Sequence, residues 1–283
     1  GRPARGDAAQ SGPLMRAWVF APLLWLLALP AWADARMTVL VDLLELRQAA
    51  VILSDEGQAH AEMLNQDMLG GQGGPGWQMQ VESIHDAGRM VEMVRRALEE
   101  TMTSGEVEQA IDFYSTELGG RIVGLENAGR AAIAEPEVEQ IARAHYGVLA
   151  GDHDPRVALI RRLIDAADMV DRNVSTALNS NFQFLRGMRD GGALEDSDED
   201  LLAEVGAELE AVTEDTSVWM HAYLLLAYHP LRDAEIAQYA QFAETGAGRA
   251  LNRALFDGFG RAYEDISYGL GRALALNMVA ESL

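Results

Sequence analysis

An all-α fold, a helical bundle built from two related helical units, is what this sequence predicts. Three observations carry it. Apolar residues recur at three- and four-residue spacing along nearly the whole chain. No segment alternates apolar and polar residues between hairpin turns, as strands would. A ten-residue phrase, FYSTELGGRI at 113–122, reappears as FAETGAGRAL at 242–251.

The first internal methionine, Met15, is followed by Arg16, an apolar run from Ala17 to Leu29, Pro30 and the triplet Ala31-Trp32-Ala33. A short positive region, an apolar core and a small-residue cleavage site mark a secretory signal peptide. The run is shorter than the roughly 20 residues a membrane-spanning helix needs. Residues 1–14 read as sequence upstream of the true start. The expectation is therefore a removed segment over 1–33, a first helical unit over 34–150 and a second over 151–283. The two units are expected to pack as one compact body located in the periplasm.

Further along, Gly70 to Gly76 is rich in glycine and holds Pro75, which predicts a mobile or open turn. It lacks the GxGxxG pattern of a phosphate loop and no strand precedes it. Thr103-Ser104-Gly105-Glu106 fits a capping box. The helix that follows places Phe113 on its inner face. Thr116 then caps a new helix, and Gly119 lets that helix approach a neighbour. The second copy repeats this with Phe242, Thr245 and Gly248, and Asp233 is expected to cap its first helix. Glu106/Glu235 and Gln109/Gln238 are also identical when the copies are aligned.

Asp154-Pro155 fits an N-cap followed by proline at the first helical position. From Ile160 to Leu185 the apolar positions define one buried face of a long helix, closed by Gly187 and Gly191-Gly192. Glu195 to Asp200 is acidic. Asp196, Asp198 and Asp200 have the first spacings of a calcium loop, but Leu201 and Ala207 stand where that loop needs Gly and Glu. A solvated, acidic helix start is the reading. Trp219 is expected to open the helix that stops before Pro230, and Trp77 follows the glycine loop; both read as packing anchors. A last apolar stripe runs from Leu251 to Met278. Its glycines, among them Gly258 and Gly271, predict close helix–helix contact.

The F-x-x-[ST]-x-x-G motif after an acidic-start helix, twice in an acidic chain with an export signal, resembles a bacterial family of exported all-helical domains of unknown function. The likeness is to its two-copy alphaproteobacterial members. Supporting stretches are DMVDRNVSTALNSNFQFLRG at 168–187, LLLAYHPL at 224–231 and ALNRALFDGFGRAYEDIS at 250–267. Family copies often carry Pro after the Ser or Thr; here Glu117 and Gly246 stand there. The resemblance implies a fold type and an envelope location, and it transfers no catalytic residue.

Composition narrows the function classes. The formal net charge is −22, and leaving out Arg2, Arg5, Arg16 and Asp7 of the leader makes it −24. A chain this acidic is repelled by nucleic acid and by anionic membrane surfaces. No nucleic-acid partner is expected, and no membrane association after signal cleavage. Every basic side chain is arginine, and there is no cysteine, hence no disulfide and no thiol nucleophile.

The most unusual polar run is Asn173, Ser175, Thr176, Asn179, Ser180 and Asn181. Indifferent helix formers there cost up to about 0.7 kcal/mol each against Ala, so tertiary contacts must compensate. Buried hydrogen bonds that close the bundle are one reading. A polar pocket between helices is the other, with Asp168, Arg172, Asn173 and Asn181 as candidate ligand-binding residues. Asp168 and Arg172 are four apart and can pair. Glu126 and Arg130 read as a surface pair of the same spacing. The six histidines are scattered, with no HExxH; Glu56 and His60 are four apart, and Asp152 to Asp154 reads as a turn and cap. No metal site, cofactor or catalytic constellation is assigned. The functional expectation is a structural or protein-interaction role in the cell envelope, with an unknown protein partner or a homodimer. The alternative is a small-molecule or metal binder using the polar pocket.

Overall fold

A computed structural model describes residues 34–281. The leader expected over 1–33 lies outside the described residues. Contacts divide the chain after Ala35, and residues 36–283 form one compact unit; the description concerns that unit. Among the described residues every regular element is a helix.

The helices are α1 (34–43), α2 (Leu46–Met68), α3 (Gly74–Ile84), α4 (Ala87–Thr101), α5 (Ser104–Tyr114), α6 (Glu117–Ile133) and α7 (Pro136–Gly151). After them come α8 (Pro155–Ala166), α9 (Met169–Asp190), α10 (Asp198–Ala207), α11 (Leu209–Ala227), α12 (Asp233–Ala243) and α13 (Gly246–Glu281). The main core draws on both halves of the chain: Leu40, Leu98 and Ile122 share it with Ile160, Leu224 and Leu251, all nearly inaccessible to solvent. A smaller core under the glycine turn gathers Leu69, Trp77 and Leu274.

The long helix α13 lies along α9 and α4, and glycines set how closely. A Cβ on Gly271 would stand 2.1 Å from the Phe184 carbonyl oxygen, one on Gly187 2.2 Å from that of Tyr268, and one on Gly258 2.6 Å from Val94 Cα. No side chain fits in those gaps, so the glycine cost to helix propensity is offset by close backbone packing.

The repeated phrase folds into the same corner twice. Thr116 and Thr245 each accept from the amide of the glycine three residues on at 3.0 Å, and each donates its hydroxyl to the preceding Phe carbonyl at 2.7 Å. A Cβ on Gly119 or Gly248 would stand 2.3 or 2.2 Å from that same carbonyl oxygen. The rings of Phe113 and Phe242 stack on each other, with centroids 4.1 Å apart and planes 6° from parallel. The two corners therefore meet through these rings, with Thr116 and Thr245 at the surface.

Several local expectations are realised. Thr103 and Glu106 form the capping box of α5. Asp154 accepts from the Arg156 amide at 2.8 Å, with Pro155 opening α8. The acidic stretch does open a helix, α10, and its cap, Ser197 with Asp200 returning the bond, was not anticipated.

Others are corrected. The stretch 160–185 is two helices: Asp168 adopts φ 50°, ψ 36°, the left-handed region, and turns the chain between α8 and α9. Aspartate tolerates that conformation better than most residues, and α9 runs on through Gly187 to Asp190. The glycine stretch is a short turn, because Gly74 and Pro75 already open α3. Asp233 does not cap α12. Arg232 is the N-cap, its amide donating to Glu235 at 2.8 Å, while Asp233 pairs with Arg156 at 2.5 Å. Trp219 sits in the middle of α11, against Tyr223.

Candidate functional site

The site begins with one face of α6. Val123, Glu126 and Arg130 follow at three- and four-residue spacing, so they project from one side of the helix. Gly129 seats that side against α11: a Cβ there would lie 2.8 Å from Ala227 Cβ. The close approach brings the tyrosines of α11 over Glu126. Tyr223 donates its hydroxyl to the Glu126 backbone carbonyl at 3.0 Å. Tyr228 donates to Glu126 Oε1, and Tyr239 of α12 donates to the same oxygen at 3.2 Å. Tyr114 of α5 lies 3.5 Å from the Tyr239 hydroxyl. Oε2 accepts nothing from the described residues.

Glu126 lines a cavity of about 300 Å³, at the small end of the range for ligand sites. The helices enclose it with apolar side chains: Leu46 and Leu53 from α2, Met169 from α9, Met220 and Leu224 from α11, Leu255 and Phe259 from α13. Aromatic rings dominate the rest, with Tyr114, Trp219, Tyr223, Tyr239 and Tyr263 all on its wall. Besides the tyrosine hydroxyls, the polar groups on the wall are the Glu126 carboxyl, Arg130, the Thr176 hydroxyl and the amides of Asn127, Asn173 and Asn252. A mostly apolar hollow with a small number of placed polar groups is the usual form of a small-molecule site.

Burial pushes the Glu126 carboxyl up to about 7, against the opposing pull of the Tyr228 and Tyr239 hydroxyls. Burial likewise raises Tyr114, Tyr223, Tyr228 and Tyr239, with the nearby Glu126 charge adding to it. Tyr263 is pushed to about 12 by burial. All five remain protonated donors at ordinary pH. Burial works against the charge of Arg130, and its bonds to Glu56 more than compensate, so its pKa is raised. Those bonds are bidentate, Nε to Oε1 at 2.9 Å and Nη2 to Oε2 at 2.5 Å. The guanidinium also stands 5.0 Å from the Trp219 ring centroid. Glu126 and Arg130 are thus not the surface pair their spacing predicts. Each faces inward and takes partners from other helices.

The four candidate ligand residues part company. Asp168 and Arg172 line an open polar groove between α9 and α13, with Asp257 and Arg261 opposite. Arg172 reaches Asp168 at 4.0 Å and Asp257 at 3.7 Å, and with Asp171 and Glu264 also on its lining the groove carries more carboxylates than arginines. Asn173 lines the Glu126 hollow, where its amide donates to the Met169 carbonyl at 2.7 Å. Asn181 lines neither hollow and donates to Glu208 at 3.0 Å. The groove, about 530 Å³, is lined mainly by charged and polar side chains, whereas the hollow around Glu126 is lined mainly by apolar and aromatic ones; both open to the surface. Thr176, Phe256 and Gly260 border both. Phe113, Thr116, Gly119, Phe242, Thr245 and Gly248 hold the corners on which Tyr114 and Tyr239 ride. Among the described residues no group of three or more His, Cys, Asp or Glu could hold a metal ion. No described helix is long and apolar enough to cross a membrane.

Glu126 and its tyrosines are what sequence reasoning missed. The available signal was a 3-4 spacing in which a carboxylate shares a face with Val123 and with Ile133 near the helix end, an unusual neighbourhood for a solvated charge. Residues 88–145 match the model of a bacterial family described as "Uncharacterized protein conserved in bacteria (DUF2059)". That span runs from α4 into α7 and contains the first corner, Glu126 and Arg130. No curated protein and no solved structure matches the chain.

Proposed function

We propose that this protein binds a small, largely apolar molecule in the Glu126 cavity, as an exported protein of the bacterial cell envelope. The observation that carries the reading is a carboxyl held deep in an aromatic hollow with one oxygen saturated by tyrosine hydroxyls and the other left for the cavity. Export is supported by the leader-like segment over 15–33. The identical hydrogen bonding of the two corners supports an ancestral duplication of one helical unit. A protein-interaction role has less behind it. On α7 the large exposed apolar side chains are Ile141 and Val148, and two such residues on one helix are common on protein surfaces.

Native mass spectrometry of protein purified without denaturant tests the reading. Wild type is expected to retain an organic molecule, or to gain thermal stability from a library of apolar compounds. Ala49→Phe, which fills the cavity wall of α2, should do neither while keeping its helical circular dichroism. A wild-type protein that is bare and unaffected by every compound would refute it.

A further inference from the structure

We propose that the ligand of this cavity is an apolar cation, an aromatic or alkyl ammonium, with its charge on Glu126 Oε2 and its body among the surrounding rings. The inference rests on the reading of the cavity as a ligand site and adds the ligand's charge.

The charge balance around the cavity decides it. Of the groups on its wall, only Glu126 and Arg130 of α6 are charged. Arg130 is matched by Glu56 of α2 through two hydrogen bonds. The polar groups of α9 and α13 that line the cavity, Asn173, Thr176 and Asn252, carry no charge. The facing tyrosines of α5, α11, α12 and α13 are neutral donors. Glu126 is therefore the one charge on the cavity wall without an opposite partner among the described residues. Its Oε1 already accepts from Tyr228 and Tyr239, which leaves Oε2 to receive a donor from inside the hollow.

The wall favours the same sign. Tyrosine and tryptophan ring faces are negative and attract cations, and this wall already makes one such contact, the Arg130 guanidinium 5.0 Å from the Trp219 ring centroid. An anion would meet an unmatched carboxylate. A neutral molecule could donate a hydrogen bond to Oε2 but brings no charge to offset the carboxylate when it is ionised. An ammonium satisfies both the carboxylate and the rings.

A proton exchange follows. A carboxyl raised by burial is partly protonated near neutrality, and its proton competes with a ligand cation for the same oxygen. Cation uptake should expel that proton, so binding should weaken as pH falls, while a neutral ligand should show no such loss.

Isothermal titration with phenylbutylamine, phenylbutanol and phenylbutanoate tests this, since the three share a body and differ in charge. The amine is expected to bind at least about tenfold more tightly than the alcohol, the usual scale for a hydrogen bond to a charged group. Its affinity should fall about tenfold between about pH 8 and about pH 6. Glu126→Gln should remove the preference for the amine and its pH dependence while leaving the alcohol bound. If that variant does not fold, the ranking of the three probes on wild type and the pH dependence decide alone. Alcohol or acid binding as tightly as the amine would overturn the cation and leave the ligand site standing. Failure of all three to bind would overturn the site as well.

Discussion

Replacing Glu126 by Gln should change how stability depends on pH, with a magnitude fixed by the site. The Glu126 carboxyl titrates near 7 in the folded chain and near 4.3 once unfolded, its ordinary value. Between those values the native state holds a proton that the unfolded state has lost. Stability therefore falls as pH rises through that window, and is greatest below it. From about pH 5 to about pH 8 the loss attributable to this one group is about 2.5 to 3 kcal/mol. Gln keeps an oxygen for Tyr228 and Tyr239 and cannot ionise. The stability difference between variant and wild type should then shift by that amount, in favour of the variant at the higher pH. Comparing the two proteins cancels the many surface carboxylates they share. Urea denaturation of both at each pH measures it, and in melting temperature the shift should be about 2–4 °C per kcal/mol. A difference that stays constant with pH would show that Glu126 titrates as an ordinary exposed carboxylate, and the burial argument would fall.

Other perturbations test the scaffold. Gly119→Ala and Gly248→Ala each drive a methyl into a backbone carbonyl that cannot retreat, and each should cost about 3 kcal/mol by urea denaturation. A double-mutant cycle on Phe113→Leu and Phe242→Leu should return about 1 kcal/mol of coupling for the stacked rings; additive effects would mean the corners do not support each other. Asn181→Leu should leave probe binding unchanged and alter stability by under about 1 kcal/mol, because its contact is with Glu208 away from both hollows. Loss of binding in that variant would relocate the site.

What the sequence disclosed was local. Capping residues act on amides two or three positions away, so Thr103, Thr116 and Asp154 could be read directly. The stripe of α13 and its glycines were legible for the same reason. The break at Asp168 was not, because a single left-handed aspartate looks like any polar residue on a helix. Asp233 was misread since the true bond at that end comes from Glu235 back to the Arg232 amide, which needs no capping side chain at all. Glu126 was the largest loss. Its spacing to Arg130 looks like a surface pair, and what turns it inward lies 97 to 113 residues further on, in Tyr223, Tyr228 and Tyr239. Asn173 was placed beside an interior pocket by its position on the stripe, and it does border one; Asn181 shares the stripe but lies two turns further along, past the cavity wall.

The central claim is that the hollow around Glu126 admits a small molecule, and Trp219 on its wall can report it. From Asp34 onward the chain holds only Trp77 and Trp219, so Trp77→Phe leaves a single emitter there. Titrating that variant with phenylbutylamine should produce a saturable change in Trp219 emission, and Ala49→Phe added to it should abolish the change. Emission that stays flat up to the solubility limit of the amine, in a protein shown to be folded, would contradict the account.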